Sequence, residues 1–124
     1  MAKIDYLLQG ISDKSHKEVF CEILSIKNLK KIIISVAFMK NRWLAMLGDY
    51  IKPFCDITEI FIGIRNETTS YQAIIGLLNM GIDPYLVDTG TSSFIFHPKI
   101  FLAYSDTEAR IILGSANATT GGFY

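Results

Sequence analysis

Several residue types that build specialised sites are scarce in this chain. It has two cysteines, two histidines and one tryptophan among its 124 residues, and its 12 basic residues are balanced by 12 acidic ones. A formal net charge of zero provides no global electrostatic attraction to nucleic acid. Any affinity of this chain for phosphate therefore has to come from a local group of side chains.

The two cysteines, Cys21 and Cys55, do not form a CxxC pair. We interpret them as buried free thiols, and because no signal peptide is visible we expect a cytoplasmic protein rather than a secreted one with a disulfide. Two scattered cysteines and two histidines make no zinc-binding set, so we expect no metal and no cofactor. The longest apolar run, residues 32–39, is too short to span a membrane.

Apolar residues, in contrast, are plentiful. Half of the residues are hydrophobic, which allows a sizeable core and indicates one domain or part of one. Helical spacing of apolar residues predicts a first helix that begins at Ser12 or Asp13 and ends near Ile26. Within it, Ser15 and Glu18 have the spacing of a capping box.

Two further helices follow from the same spacing. The second is predicted to be capped by Asn41 and closed by Pro53, which cannot continue a helix. The third is predicted to be capped by Thr68 or Thr69 and to end at Gly81.

Runs rich in β-branched residues predict three strands, at 31–39, 57–64 and 84–87. The first shows little polar alternation, which is typical of a strand buried on both faces. Alternating helices and strands indicate a mostly parallel sheet with helices on both faces. The expected fold class is therefore α/β, with a mixed, mostly parallel sheet that ends in a β-hairpin.

The hairpin is predicted over residues 94–123, where two apolar runs flank the polar turn at 105–108. If residues 105–107 form the loop, Tyr104 pairs with Glu108.

In that register four polar side chains gather on one face of the hairpin. His97 would lie opposite Ser115, and Lys99 opposite Leu113. Asn117 shares a face with Ser115 if the second strand stays extended. An imidazole, an ammonium, a hydroxyl and a carboxamide would then be neighbours, whereas a slip by one residue would split the group across both faces.

The H-x-K sequence at 97–99, followed by G-S-x-N at 114–117, resembles the signature H-x-K-x4-D-x6-G-S-x-N of the phospholipase D superfamily. The strings HPKIFLAY and ILGSANATTGG are most similar to its bacterial nuclease branch, which includes metal-independent restriction endonucleases and domains attached to helicases. The resemblance is close over residues 94–122 and only architectural before them.

The chain departs from that signature at three points. The family Asp falls on Tyr104, while Asp106 lies in the predicted turn. Gly114 follows Lys99 by fifteen residues instead of twelve. The acidic residue that usually follows GSxN would lie beyond Tyr124, so we expect residues 1–124 to be a single phospholipase D-like domain that is truncated on its C-terminal side.

The resemblance implies a metal-independent phosphodiesterase, and a restriction-type DNA endonuclease is the expected form. It implies that His97 attacks phosphorus to give a phosphohistidine. Lys99, Asn117 and, more weakly, Ser115 would hold the non-bridging oxygens. Gly114 suits a close approach of the backbone to substrate.

One imidazole cannot be both nucleophile and leaving-group acid in a single step. His16 lies outside the motif and is expected to be structural. Since the family places two motif copies face to face, we expect a two-fold homodimer with both His97 rings at its axis.

Two residues outside the motifs are also of interest. Arg65 follows the second strand, and ligands of such sheets usually sit beyond the carboxyl ends of the parallel strands. It is therefore a candidate phosphate contact. Trp43 could stack on a base, but core packing is the expectation for a tryptophan at helical spacing.

Two other functions stay open. The same fold could act on lipid head groups, although no basic amphipathic helix or membrane segment is predicted. A decayed site, suggested by Tyr104 in place of Asp, would leave a DNA-binding or dimerisation module. The expected partners are DNA and a second copy of the chain, with helicase or DNA-recognition domains in a longer protein and no membrane.

Overall fold

The computed structural model describes residues 2–8, 14–65, 69–119 and 123. The helices are α1 (His16–Ile23), α2 (Asn41–Ile51) and α3 (Tyr71–Asn79), and a 3₁₀ segment (Lys52–Ile57) follows α2. The strands are β1 (Lys31–Val36), β2 (Thr58–Gly63), β3 (Tyr85–Val87), β4 (Lys99–Tyr104) and β5 (Ala109–Leu113). The fold is α/β, as predicted.

The five strands form one mixed sheet in the order β3-β2-β1-β4-β5. Strand β1 pairs in parallel with β2, and β2 with β3. The hairpin joins the other side of β1, so β1–β4 and β4–β5 are antiparallel. The prediction of a mostly parallel sheet is therefore wrong, because among the described strands the two kinds of pair are equal in number.

The core of the protein lies on one face of this sheet. In β1 the side chains of Ile32, Ile34 and Val36 are fully buried, whereas those of Ile33 and Ser35 are only half-buried. Side chains from all three helices pack against the buried set, including Phe20, Ile23, Trp43, Leu47, Ala73 and Leu77.

The opposite face, which we call the open face, carries the alternate residues Ile33, Phe61, Leu102 and Ile111. These side chains are half-buried or exposed. Within the described residues the helices thus cover a single face. The predictions of helices on both faces and of a doubly buried β1 are wrong, because an unbroken run of isoleucines hides an alternation of burial that only the packing reveals.

Four aromatic rings form the centre of the core. The rings of Phe20, Trp43, Phe101 and Phe123 have centroids 5.0 to 6.2 Å apart. Trp43 has no exposed surface, so it packs in the core, as expected, and is not available to stack on a base. These aromatic contacts hold α1, α2 and β4 together.

The predicted capping box of α1 is confirmed. The Ser15 hydroxyl accepts a hydrogen bond from the Glu18 N–H at 3.3 Å, and the Glu18 carboxylate accepts one from the Ser15 N–H at 2.8 Å. The helix ends at Ile23, short of Ile26. The earlier start proposed at Ser12 or Asp13 lies outside the described residues.

The other two N-caps differ from prediction. Lys40, not Asn41, is the N-cap of α2. Ser70, not Thr69, is the N-cap of α3, and Thr68 lies outside the described residues. Gly81, with φ of +85°, follows the end of α3 as predicted.

The remaining expectations concern cysteines and membranes. Cys21 and Cys55 are free, but both are half-buried rather than buried. In the described part of the chain, no helix has the length and apolar character needed to cross a membrane.

Candidate active site

The strand directions bring the two motifs to one edge of the sheet. The parallel strands β1, β2 and β3 all end at this edge, which we call the carboxyl edge. Because β4 is antiparallel to β1, its first residue, Lys99, pairs with Val36 there. Because β5 returns antiparallel to β4, its last residue, Leu113, also lies there. The motifs at 97–99 and 114–117 therefore meet at the carboxyl edge.

The register of the hairpin differs from prediction by one residue. Tyr104 pairs with Ala109, and Ile100 pairs with Leu113. The turn contains four residues, because the Ser105 N–H donates to the Glu108 carbonyl at 2.8 Å and the Glu108 N–H donates to the Ser105 hydroxyl at 3.2 Å. These two hydrogen bonds include Glu108 in the turn, so each residue of β4 pairs with a residue of β5 one position later than predicted.

The predicted pairs of His97 with Ser115 and of Lys99 with Leu113 are consequently wrong. His97 precedes β4, and β5 ends at Leu113, so Ser115 is not part of the strand. Ser115 is exposed and lines a separate groove between residues 2–8, α1 and β5. As expected for a one-residue slip, the four polar groups do not share one face.

His97 and Lys99 are nevertheless in direct contact. The Lys99 Nζ lies 2.7 Å from Nδ1 and 3.1 Å from Nε2 of the His97 ring, and it donates to the His97 carbonyl at 3.2 Å. His97 is exposed, and Lys99 is half-buried. Burial lowers the pKa of Lys99 from its ordinary value of 10.5, since it disfavours the charged form. A bound anion would offset that cost.

Asn117 is bound to the backbone that follows β1, close to His97 and Lys99. It is buried, and its Oδ1 accepts hydrogen bonds from the Ala37 N–H at 3.1 Å and the Phe38 N–H at 3.4 Å. The Ala37 N–H also donates to the Pro98 carbonyl at 2.9 Å. Asn117 is thereby held beside the residue that separates His97 from Lys99. Its amide nitrogen makes no hydrogen bond to another described residue, so both of its N–H groups are free for a ligand.

A cleft of about 370 Å³ opens at the carboxyl edge, and we call it the carboxyl-edge cleft. Its apolar lining consists of Phe38, Val87, Phe94, Ile95 and Phe96. Its polar lining consists of Arg65, Thr89, Thr91, Ser92 and His97. This volume lies within the range of pockets that bind small ligands. The cleft thus brings Arg65 and His97 together, at the position expected for ligands of such sheets.

Arg65 is partly engaged by an acidic neighbour. Its Nε donates to Asp88 Oδ1 at 2.7 Å, and the Gly90 N–H donates to the same oxygen at 2.9 Å. The Gly90 N–H and the Arg65 guanidinium hold the pKa of Asp88 below its usual value. No hydrogen bond from the terminal guanidinium nitrogens to another described residue occurs, so Arg65 keeps donors for a phosphate. Asn66 and Glu67 lie outside the described residues.

Two side chains after β2 fix the end of β1. The Thr69 hydroxyl donates to the Gly63 carbonyl at 2.7 Å and accepts from the Met39 N–H at 3.3 Å. The Ser70 hydroxyl accepts from the Ala73 N–H at 3.2 Å, which caps α3, and from the Asn41 N–H at 2.9 Å. The Thr69 hydroxyl is already bound to Gly63 and Met39, which explains why it does not cap α3. These bonds join the segment that follows β1 to the segment that follows β2.

Gly63 has a structural role that sequence reasoning missed. A Cβ on Gly63 would lie 2.4 Å from the Ala37 carbonyl oxygen and 3.3 Å from the Phe96 ring. Only glycine fits, because the backbone after β1 and the cleft wall approach it closely. The available signal was a glycine near the end of a β-branched strand, which often marks such an approach.

The remaining candidates lie apart from the cleft. Gly114 is exposed, and a Cβ added to it would meet nothing within 4 Å, so no packing within the described chain requires a glycine there. The His16 ring packs against Phe123 with centroids 6.0 Å apart, and burial lowers its pKa. His16 does not line the carboxyl-edge cleft.

Neither protein-family models nor curated proteins provide a relative of this chain. In the described ranges, no group of three or more His, Cys, Asp or Glu side chains is arranged to hold a metal ion.

Proposed function

We propose that this chain is a phospholipase D-like phosphodiesterase domain that cleaves DNA without a metal ion. The observation that most supports this proposal is the contact between the Lys99 ammonium and the imidazole of His97, a residue that lines the carboxyl-edge cleft. The buried amide of Asn117, held next to Pro98 through the Ala37 N–H, adds hydrogen-bond donors beside them.

The proposed reaction has two displacements at phosphorus. An unprotonated ring nitrogen of His97 forms a bond to phosphorus, and the bond from phosphorus to the leaving sugar oxygen breaks. A proton from a second imidazole neutralises the leaving oxygen. Water then attacks the phosphohistidine, the bond from phosphorus to nitrogen breaks, and the second imidazole takes the proton from the water.

Lys99 positions the phosphate for this attack. A phosphate oxygen bound to its Nζ would be next to the His97 ring, because Nζ lies within 3.1 Å of both ring nitrogens. The ammonium also stabilises the charge that builds up on the non-bridging oxygens in the transition state. Because Lys99 is half-buried, its attraction to a bound anion is stronger than that of a fully hydrated lysine.

The second imidazole is proposed to come from another copy of the chain. His16 does not line the cleft, since its ring packs on Phe123. His97 is exposed, so a two-fold axis at the carboxyl edge could bring two His97 rings to one phosphate. Each ring would then serve as the acid for attack by the other.

A nuclease assay in the presence of a chelator tests the activity. The wild-type chain is expected to cut DNA with EDTA present, whereas His97→Ala is expected to lose activity by at least a thousandfold. His16→Gln is the matched control, since it removes the other imidazole of the chain. Equal activity of wild type and His97→Ala would rule out the proposed nucleophile.

Trapping the intermediate separates an active enzyme from a decayed module. Brief incubation with a ³²P-labelled oligonucleotide, followed by denaturation at alkaline pH, is expected to leave label on wild type and none on His97→Ala. Cleavage of phospholipid vesicles but not of DNA would transfer the proposal to lipid head groups. DNA binding with neither cleavage nor label would identify a binding module.

Sedimentation velocity tests the homodimer. We expect a dimer at assay concentration and activity that falls on dilution below the dimer dissociation constant. A monomer with full activity would refute the shared site while leaving His97 as the nucleophile.

A further inference from the structure

Large apolar side chains are exposed next to the candidate nucleophile. The connection between β3 and β4 presents Phe94 and Ile95 with 73% and 76% of their surface exposed. Both line the carboxyl-edge cleft together with the His97 ring. Adjacent exposed apolar side chains that border polar groups in a cleft are typical of a surface that binds a ligand or partner.

Hydrogen bonds give this connection a defined shape. The Thr89 hydroxyl shares its one proton between the carbonyl oxygens of Thr91 at 2.9 Å and Phe94 at 2.8 Å. The Ser93 N–H donates to the Thr91 hydroxyl at 3.2 Å, and Asp88 accepts from Gly90. These bonds hold the Phe94 backbone against the start of the connection. The Phe94 ring is therefore held by a loop that is already folded. Less conformational entropy is lost when a ligand binds to such a loop than to a flexible one.

Two further aromatic rings, those of Phe38 and Phe96, line the same cleft. The Phe96 ring packs closely against Gly63, where a Cβ would lie 3.3 Å from it. Arg65 also lines this cleft. It binds Asp88 through Nε, and its terminal guanidinium nitrogens make no hydrogen bond to another described residue. Aromatic faces, hydroxyls and a guanidinium around a narrow space suit a planar ring with polar edges.

We propose that this cleft binds one unpaired nucleobase of the strand that is cut, stacked on Phe94 or Phe96 while the adjacent phosphate lies on His97 and Lys99. The inference rests on the proposed function and narrows its substrate to single-stranded or locally unpaired nucleic acid. A base inside an intact duplex has both faces covered by its neighbours and has to leave the stack before it enters such a cleft.

Anisotropy of labelled oligonucleotides tests the proposal in the full chain, with His97→Ala as the background so that binding is separated from cleavage. The probes are a 12-nucleotide single strand, its duplex, and single strands with abasic positions. We expect the single strand to bind more tightly than the duplex, and Phe94→Ala to weaken its binding about tenfold. An abasic stretch is expected to cause a similar loss, with no further effect of Phe94→Ala.

Tyr71→Ala is the matched control, because Tyr71 is an aromatic residue on α3 with 71% exposure and does not line the cleft. It is expected to bind like the background. Equal affinity for single strand and duplex, or equal binding by the Phe94 and Tyr71 variants, would overturn the nucleobase site.

Two outcomes distinguish this inference from the proposed function. Cleavage of intact duplex that is insensitive to Phe94→Ala would refute the nucleobase site and keep the nuclease. Selective single-strand binding that depends on Phe94, without cleavage by wild type, would keep the nucleobase site and refute the nuclease. If Phe94→Ala dissociates a dimer and leaves single-strand binding unchanged, Phe94 contacts a second copy and the nucleobase site is refuted.

Discussion

The helix-covered face of the sheet and its carboxyl edge are built from the same strands by different interactions. On the face, fully buried apolar side chains such as Ile34, Ile60 and Phe101 exclude water, and stability comes from the apolar area they remove from it. At the edge, side chains bind backbone groups that are distant in sequence, as Asn117 does at Ala37 across 80 residues.

This difference shows where the protein can place chemistry. The helix-covered face does not tolerate an ammonium group, because an unpaired charge there would lose its hydration without compensation. At the edge Lys99 is half-buried and His97 is exposed, so both side chains keep contact with water and the charge on Lys99 costs less there.

Ile34→Ala is expected to give the largest loss, about 2–5 kcal/mol of the free energy of unfolding, because it empties a fully buried position. Ile33→Ala is the matched control, with the same deletion one residue earlier on the open face. Its loss is expected to be less than half as large. Urea unfolding measures both, and equal losses would mean that the open face is also covered in solution.

Asn117→Ala is expected to lower the free energy of unfolding by about 1–3 kcal/mol, because the partly buried Phe38 N–H and the Ala37 N–H both lose the Asn117 Oδ1 as an acceptor. Asn117→Asp keeps the accepting oxygen and removes the two N–H donors. It should therefore retain more stability than the Ala variant while losing cleavage activity. Cleavage by the Asp variant at the wild-type rate would show that these donors do not contact substrate.

Lys99→Met is expected to leave stability unchanged or raise it, while cleavage falls by at least about a hundredfold. The pKa of Lys99 is lowered by burial in the folded state, so between that pKa and 10.5 the unfolded chain binds more protons. The free energy of unfolding of wild type should consequently rise with pH in this window relative to Lys99→Met. Urea unfolding of both proteins from pH 8 to pH 11 measures the difference, and parallel curves would contradict the burial of the ammonium.

Gly114→Ala is expected to change stability by less than about 0.5 kcal/mol, because the added Cβ meets nothing within 4 Å. Cleavage should fall if phosphate approaches this backbone. Gly63→Ala serves as the contrasting variant, since its Cβ would collide with the Ala37 carbonyl and destabilise the fold. Unaltered cleavage by Gly114→Ala would remove Gly114 from the site.

Local patterns were sufficient for part of this fold. The Ser15–Glu18 capping box and the end of α3 at Gly81 were predicted correctly, because each depends on a few consecutive residues. The spacing of His97 and Lys99 predicted that their side chains lie together, and they are in contact.

Predictions failed where a side chain forms a hydrogen bond that its local pattern does not indicate. Ser70 rather than Thr69 caps α3, because Thr69 is bound to Gly63 and Met39 across the edge. The hairpin register moved by one residue because Ser105 bonds to Glu108 and lengthens the turn. The close contact of Gly63 with the Ala37 carbonyl and the bonds of Asn117 to Ala37 and Phe38 likewise join segments that are distant in sequence.

The amino-acid sequence by itself determined which stretches are helix and strand and which two motifs carry the polar groups, because capping, periodicity and turn chemistry act over a few residues. Only the tertiary structure decided which face of the sheet is covered, which motif residues meet, and that a cleft opens beside His97. Those outcomes depend on pairing across the sheet, where a shift of one residue moves a side chain to the opposite face.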